Sequence, residues 1–249
     1  MSKKLTKRQR RILRQEGVID IKNRINHAKF GITDITRHYK LTNVQNNVIQ
    51  AYDDDYHLVL HGVAGTGKTF LSMFLALQDV LEGHDLYNKV CVFRSVVPTR
   101  DMGYLPGSWK QKAAVYEEPY KMMCNELFNR GDAYEVLKNK NLFEFVTTSF
   151  IRGTTFNNSI MIVDEINNMS FHELDSIMTR VGKDCRIIFC GDYRQSDLKE
   201  SNERQGLGRF LDILNRMGGF KRFEFRVEDI VRSDIVKDYI IQKSELGHV

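Results

Sequence analysis

Residues 62–69 read Gly-Val-Ala-Gly-Thr-Gly-Lys-Thr, between the apolar run Leu58-Val59-Leu60 and the amphipathic stretch Phe70–Leu77. Three glycines within six positions are incompatible with the interior of a helix or strand. They suit a tight loop that leaves a strand and enters a helix with its backbone N–H groups turned inward. Such a loop, Gly62, Ala64, Gly65, Thr66 and Gly67 included, wraps phosphate oxygens. Lys68 adds a cation for the β- and γ-phosphates, and the Thr69 hydroxyl is a Mg²⁺ ligand. The strand before the loop and the helix after it therefore belong to one α/β unit that binds a nucleoside triphosphate.

The rest of the chain extends that unit. Apolar runs at 57–61, 89–94, 142–148, 159–163, 185–190 and 220–225 predict strands. Amphipathic stretches at 68–82, 116–130, 170–181, 206–216 and 233–243 predict helices. Short, strongly apolar strands separated by helices imply a mostly parallel sheet with helices on both faces and ligands at the carboxyl ends of its strands. With 249 residues the expectation is one domain, 31–249, preceded by a basic extension, 1–30. No apolar run approaches the ~20 residues of a membrane span, and the four cysteines lack C-x-x-C spacing. Both facts favour a cytoplasmic protein and no membrane partner.

Two further strand ends carry chemistry. Ile160-Met161-Ile162-Val163 delivers Asp164 and Glu165. Asp164 is expected to hold Mg²⁺ opposite Thr69, and Glu165, pointing the other way along an extended backbone, to orient or deprotonate the attacking water. Arg186–Cys190 leads to Gly191-Asp192 and then Gln195, whose amide can sense the γ-phosphate. Upstream, Gln45 can read the exocyclic amine and N7 of adenine. The guanine-reading N-K-x-D is missing, which favours ATP. A small-molecule kinase fits poorly, because a positioned water is the last thing it needs.

Charge is unevenly spread. Residues 1–30 hold ten Lys/Arg against Glu16 and Asp20, a net +8 in a chain of net +5, which leaves the remainder at −3. Such an arm suits the phosphates of RNA or single-stranded DNA. Segment 95–115 is punctuated by Pro98, Gly103, Pro106 and Gly107. With Arg94 just before it, it interleaves Arg100, Lys110 and Lys112 with Tyr104 and Trp109, a composition that stacks bases and tracks phosphates. The run Asp53-Asp54-Asp55 reads as a solvated loop.

Taken in order, these pieces resemble the PhoH-like ATPase family, single-core relatives of superfamily-one helicases, and especially its short phage-borne versions. The resemblance spans about 41–243. It rests on the Gln45 segment, Gly65–Thr69, Gly103-Tyr104-Leu105-Pro106-Gly107, Ile151–Phe156, Asp164-Glu165, Thr179–Gly182, Gly191-Asp192-x-x-Gln195 and Glu228–Arg232. One turn departs: Ile166-Asn167-Asn168 stands where the family has Ala-Gln-Asn. The resemblance implies a single RecA-like core, ATP hydrolysis and a helicase-like link to RNA. The alternative is an ATP-switched RNA-binding or assembly module that unwinds nothing. Two-core helicases bring a charge-neutralising arginine from their second core, so Arg232, Arg180 or Arg152 is expected to complete a neighbouring subunit's site in a homo-oligomer, a hexamer by resemblance.

Overall fold

The computed structural model describes residues 31, 34–35, 40–83, 86–96, 109–151, 153–192 and 201–246. Six strands form one sheet: β1 (His57–Gly62), β2 (Lys89–Arg94), β3 (Phe143–Thr147), β4 (Ser159–Val163), β5 (Arg186–Gly191) and β6 (Phe220–Phe225). Their order is β3-β2-β4-β5-β1-β6, and every pairing is parallel. The helices are α1 (Asn43–Asp53), α2 (Lys68–Leu81), α3 (Trp109–Leu127), α4 (Ala133–Asn139), α5 (Phe171–Met178), α6 (Ser201–Arg216) and α7 (Asp234–Glu245).

Strand alternation sorts the core into two layers. Leu58, Leu60, Val90, Val92, Ile160, Ile162 and Ile188 face α1, α2, α3 and α4. Val59, Cys91, Phe93, Met161, Val163, Ile187 and Phe189 face α5 and α6. Both faces are thus covered, as an all-parallel sheet requires. This is the α/β P-loop core that the sequence implies, with β5 inserted between the loop-bearing β1 and the acid-bearing β4.

Gly62 serves this sheet. Its φ is +118°, and a Cβ there would lie 2.0 Å from the Phe225 carbonyl oxygen of β6. The first glycine of the motif is therefore demanded by the neighbouring strand rather than by phosphate.

Three expectations change. The Gln45 region, which none of the expected helices covers, is a full helix with a capping box: Thr42 Oγ1 accepts the Gln45 N–H, and the Gln45 side chain accepts the Thr42 N–H. It is anchored by buried Val48, Ala51 and Tyr52. Segment 95–115 is not loop throughout, because α3 begins at Trp109 and carries Pro119 in its interior. Wholly buried Tyr120, Cys124 and Leu127 recur at helical spacing, and their burial outweighs the missing N–H of Pro119. Finally, Asp53 ends α1, and Asp55 pairs with the buried Arg186 rather than sitting in a solvated loop.

Candidate nucleotide-hydrolysis site

All strands being parallel, their carboxyl ends share one edge, and the loop after β1 meets the ends of β4 and β5 there. Gly65 and Gly67 take left-handed φ of +77° and +76°, and Gly67 is the N-cap of α2. Thr66 is wholly buried and its hydroxyl donates to the Val63 carbonyl at 2.9 Å, which fixes the loop from within. Ala64 is exposed at the bend. Lys68 Nζ donates to the carbonyls of Gly62 and Val63, both at 2.8 Å, and burial lowers its pKa against the pull of the surrounding acids. Phosphate oxygens would have to replace these carbonyls as acceptors, a favourable exchange of neutral for charged partners.

Thr69 Oγ1 donates to Asp164 Oδ1 at 2.8 Å, joining the start of α2 to the tip of β4 across β5. Asp164 Oδ2 accepts the hydroxyl of Tyr120 at 2.7 Å. Glu165 is half-buried, and its backbone is left-handed, φ 55° and ψ 44°, not extended as expected. That conformation costs a non-glycine residue roughly 1–2 kcal/mol and is held by the turn Ile166–Asn168 that follows. Burial, and then the Asp164 charge, raise the Glu165 pKa, while Arg94, Lys68 and a hydrogen bond with Asn167 oppose the shift.

The departing turn has a clear task. Asn167 Oδ1 accepts the Asp192 N–H at 3.1 Å, so the end of β5 is tied to the acid pair. A Cβ on Gly191 would come within 2.7 Å of Ile166 Cγ1, which is why glycine stands there.

A cavity of about 400 Å³ opens beside the loop, lined by Leu41, Gln45, Phe70, Phe74, Met123 and Arg232 among others. Gln45 is buried and its Nε2 donates to the Thr66 carbonyl at 3.1 Å. With Oε1 taken by the Thr42 N–H, the amide retains one donor and one acceptor position toward the cavity. Arg232 follows β6 and lies against this chain's own loop: a Cβ on Gly65 would sit 3.1 Å from Arg232 Cγ, and the Val231 N–H donates to the Gly65 carbonyl at 3.1 Å.

Gln195, Arg152 and residues 1–30 lie outside the described residues, as do 97–108 of the basic and aromatic segment. Sequence reasoning missed Tyr120 and Asn167 in this site, and read Arg94 only with the basic and aromatic segment. Arg94, at the end of β2, sits over the Tyr116 ring with its guanidinium 5.5 Å from the centroid and interacts with Tyr120, Glu165 and Asp164. No local pattern announces any of them, although Tyr116 and Tyr120 four apart on one helix are a usable hint. Among the described residues no group of three His, Cys, Asp or Glu could hold a metal by itself, and no helix is long and apolar enough to cross a membrane.

The profile of the PhoH-like protein family matches residues 39–243. The chain belongs to the PhoH family. PhoH of Escherichia coli K12 is 30% identical over 194 residues, covering 76% of this chain and 53% of that protein. Protein PhoH2 of Bacillus subtilis is 34% identical over 149 residues, 58% of this chain and 34% of the relative. This PhoH-family chain thus spans between a third and about half of the relatives it matches. Among solved structures, Pif1 from Bacteroides sp. in complex with ADP-AlF4 is similar at a TM-score of 0.43 and 14% identity, over 82% of this chain and 46% of that one. The large terminase of a thermophilic bacteriophage gives a TM-score of 0.48 at 13% identity, over 81% and 50%. Residues 62–69 of this PhoH-family chain thus form a P-loop at the carboxyl edge of a parallel sheet.

Proposed function

We propose that this chain hydrolyses ATP and couples turnover to the binding or remodelling of RNA or single-stranded nucleic acid. The observation that carries the reading is the Thr69 Oγ1 to Asp164 Oδ1 contact of 2.8 Å with Glu165 next in the chain. It brings the two halves of a hydrolytic site together from elements 95 residues apart.

In this reading the loop N–H groups from Gly65 to Thr69 grip the β- and γ-phosphates, and Lys68 swings from its carbonyls to the phosphate oxygens. The oxygens of Thr69 and Asp164 fit a hard cation, and bound Mg²⁺ would neutralise charge on the transferred phosphoryl group. Glu165 takes the proton of the attacking water on a carboxylate oxygen, a role its raised pKa suits. The base enters the cavity between Phe70, Phe74 and Leu41, with the remaining donor and acceptor of Gln45 toward adenine. Arg232 offers its charge to the phosphates from beside Gly65, and Gln195 senses the γ-phosphate.

The basic arm 1–30 and the 95–115 segment are the surfaces for nucleic acid in this proposal. A homo-oligomer, a hexamer by family resemblance, belongs to the same reading. It is supported by Ile235 and Tyr239 of α7, which are 79% and 68% exposed beside the site.

Replacing Glu165 by Gln tests the chemistry. Turnover is expected to fall at least ~100-fold with ATP binding retained, whereas Lys68→Ala loses binding itself. Near-normal turnover in Glu165→Gln overturns the assignment. ATPase assays with RNA, with single-stranded DNA and with neither identify the polymer, and strand displacement separates a helicase from an ATP-switched binding module.

A further inference from the structure

Asp164 is gripped from two sides. Thr69 Oγ1 donates to one carboxylate oxygen at 2.8 Å and Tyr120 OH donates to the other at 2.7 Å. A single hydrogen bond sets a distance but leaves the carboxylate free to rotate about its last torsion, which is broad and roughly two-fold. A second donor on the opposite oxygen fixes the plane.

Tyr120 is well placed to do so. It has no exposed surface, and its ring packs against Phe145 of β3 with centroids 5.5 Å apart. A carboxylate only accepts, so the tyrosine proton belongs to this bond. Arg94 offers donors only, and its approach to the same hydroxyl leaves that proton directed at Asp164.

We propose that Tyr120 is a positioning residue for the hydrolytic site, holding the Asp164 carboxylate plane so that Oδ1 faces Thr69 and the metal-bound phosphates. The inference rests on the ATPase reading above. It adds that a side chain from α3, outside every recognised motif of the chain, sets how strongly Mg²⁺ reinforces ATP binding.

Tyr120→Phe removes one oxygen and leaves the ring. In a Glu165→Gln background, a fluorescent ATP analogue is titrated with and without Mg²⁺. Affinity without Mg²⁺ is expected to match the parent, and the gain on adding Mg²⁺ to shrink by about 10-fold. In the otherwise unaltered chain, the Mg²⁺ concentration for half-maximal turnover rises by a similar factor. Phe143→Leu trims the same core layer against Tyr134 and leaves Tyr120 and its Phe145 neighbour intact, and should leave the Mg²⁺ titration unchanged. Should Tyr120→Phe melt early, Arg94→Lys is read in the same titration and must lose Mg²⁺ reinforcement in the same direction. Parental Mg²⁺ dependence in Tyr120→Phe overturns the proposal, as does an equal loss in Phe143→Leu. A parent that fails to bind ATP brings down the ATPase reading and the inference with it, so the two failures are told apart by which protein shows them.

Discussion

His57 begins β1 on the edge of the sheet opposite the nucleotide site. Its Nδ1 accepts the Ile187 N–H at 3.3 Å, and its ring lies 5.0 Å from that of Phe220. A ring nitrogen that accepts from a backbone donor must be unprotonated, so the hydrogen bond itself favours neutral imidazole. Burial, and then the charge of Arg186, hold its pKa below the ordinary 6.5. The unfolded chain therefore takes up a proton near pH 6.5 while the folded chain does so only at lower pH. This contribution to stability is complete above that value and is lost as the pH falls through the window down to the folded pKa. Thermal melts between pH 7 and pH 5 are expected to show a steeper loss for the parent than for His57→Asn, whose Oδ1 can accept the same N–H without titrating. Parallel curves for the two proteins would remove His57 from the acid sensitivity of the fold.

The last turns of α1 and α2 and the turn into β1 meet around Arg186 at the start of β5, and Arg186 is 2% exposed. Its guanidinium donates to the Tyr52 carbonyl at the end of α1 at 2.9 Å and pairs with Asp55 in the turn to β1. It lies 3.7 Å from Asp79 of α2 and 4.2 Å from the Tyr52 ring centroid. Arg186→Met removes one charge and strands the other, since Asp79 is itself 2% exposed. Urea unfolding should report a loss of about 3–5 kcal/mol, with part of it regained when Asp79→Asn is added. Loss under 1 kcal/mol would show the cluster to be dispensable. The same cluster explains what could be read in advance. Strands 89–94 and 159–163 coincide with β2 and β4 because a buried parallel strand is written in consecutive residues, and 220–225 coincides with β6, an edge strand whose three phenylalanines stand among charged residues. Asp55 looked like part of a solvated run because its partner is 131 positions away. Tyr120 drew no reading of its own because its partner Asp164 is 44 positions away. The start of α3 was hidden because 109–115 reads on from the Pro- and Gly-punctuated residues before it, and α1 by a polar run whose burial depends on Val48, Ala51 and Tyr52 meeting a sheet. In the candidate site, the stretches Gly62–Thr69 and Asp164-Glu165 could be picked out and set opposite each other, whereas their contacts with Tyr120, Arg94 and Asn167 could not.

Strand order also bears on how one core could work without a second. With β6 beside β1 and parallel to it, the segment leaving β6 emerges next to the loop leaving β1. Arg232 therefore reaches Gly65 within the same chain, where a two-core helicase would bring its arginine across a cleft. The expected donor of charge is then intramolecular even inside an assembly. Mixing Lys68→Ala with Arg232→Ala separates the alternatives. Each protein alone should be inactive or nearly so. If the arginine acts within its own chain, no mixture contains a complete site, and ATPase activity stays at the baseline whatever the ratio. If it acts across an interface, mixed oligomers pair an intact loop with a neighbour's intact Arg232, and activity reappears with a maximum at intermediate ratios. The geometry predicts the first result. Assembly is then a separate question, decided by whether Ile235→Asp with Tyr239→Asp lowers the mass in solution. If those changes dissociate the protein and leave activity per chain unaltered, oligomerisation serves the nucleic acid rather than the phosphates. A fall in activity at constant mass would place α7 in the nucleotide site itself, through Ile240, whose Cδ1 would lie 3.6 Å from a Cβ on Gly65.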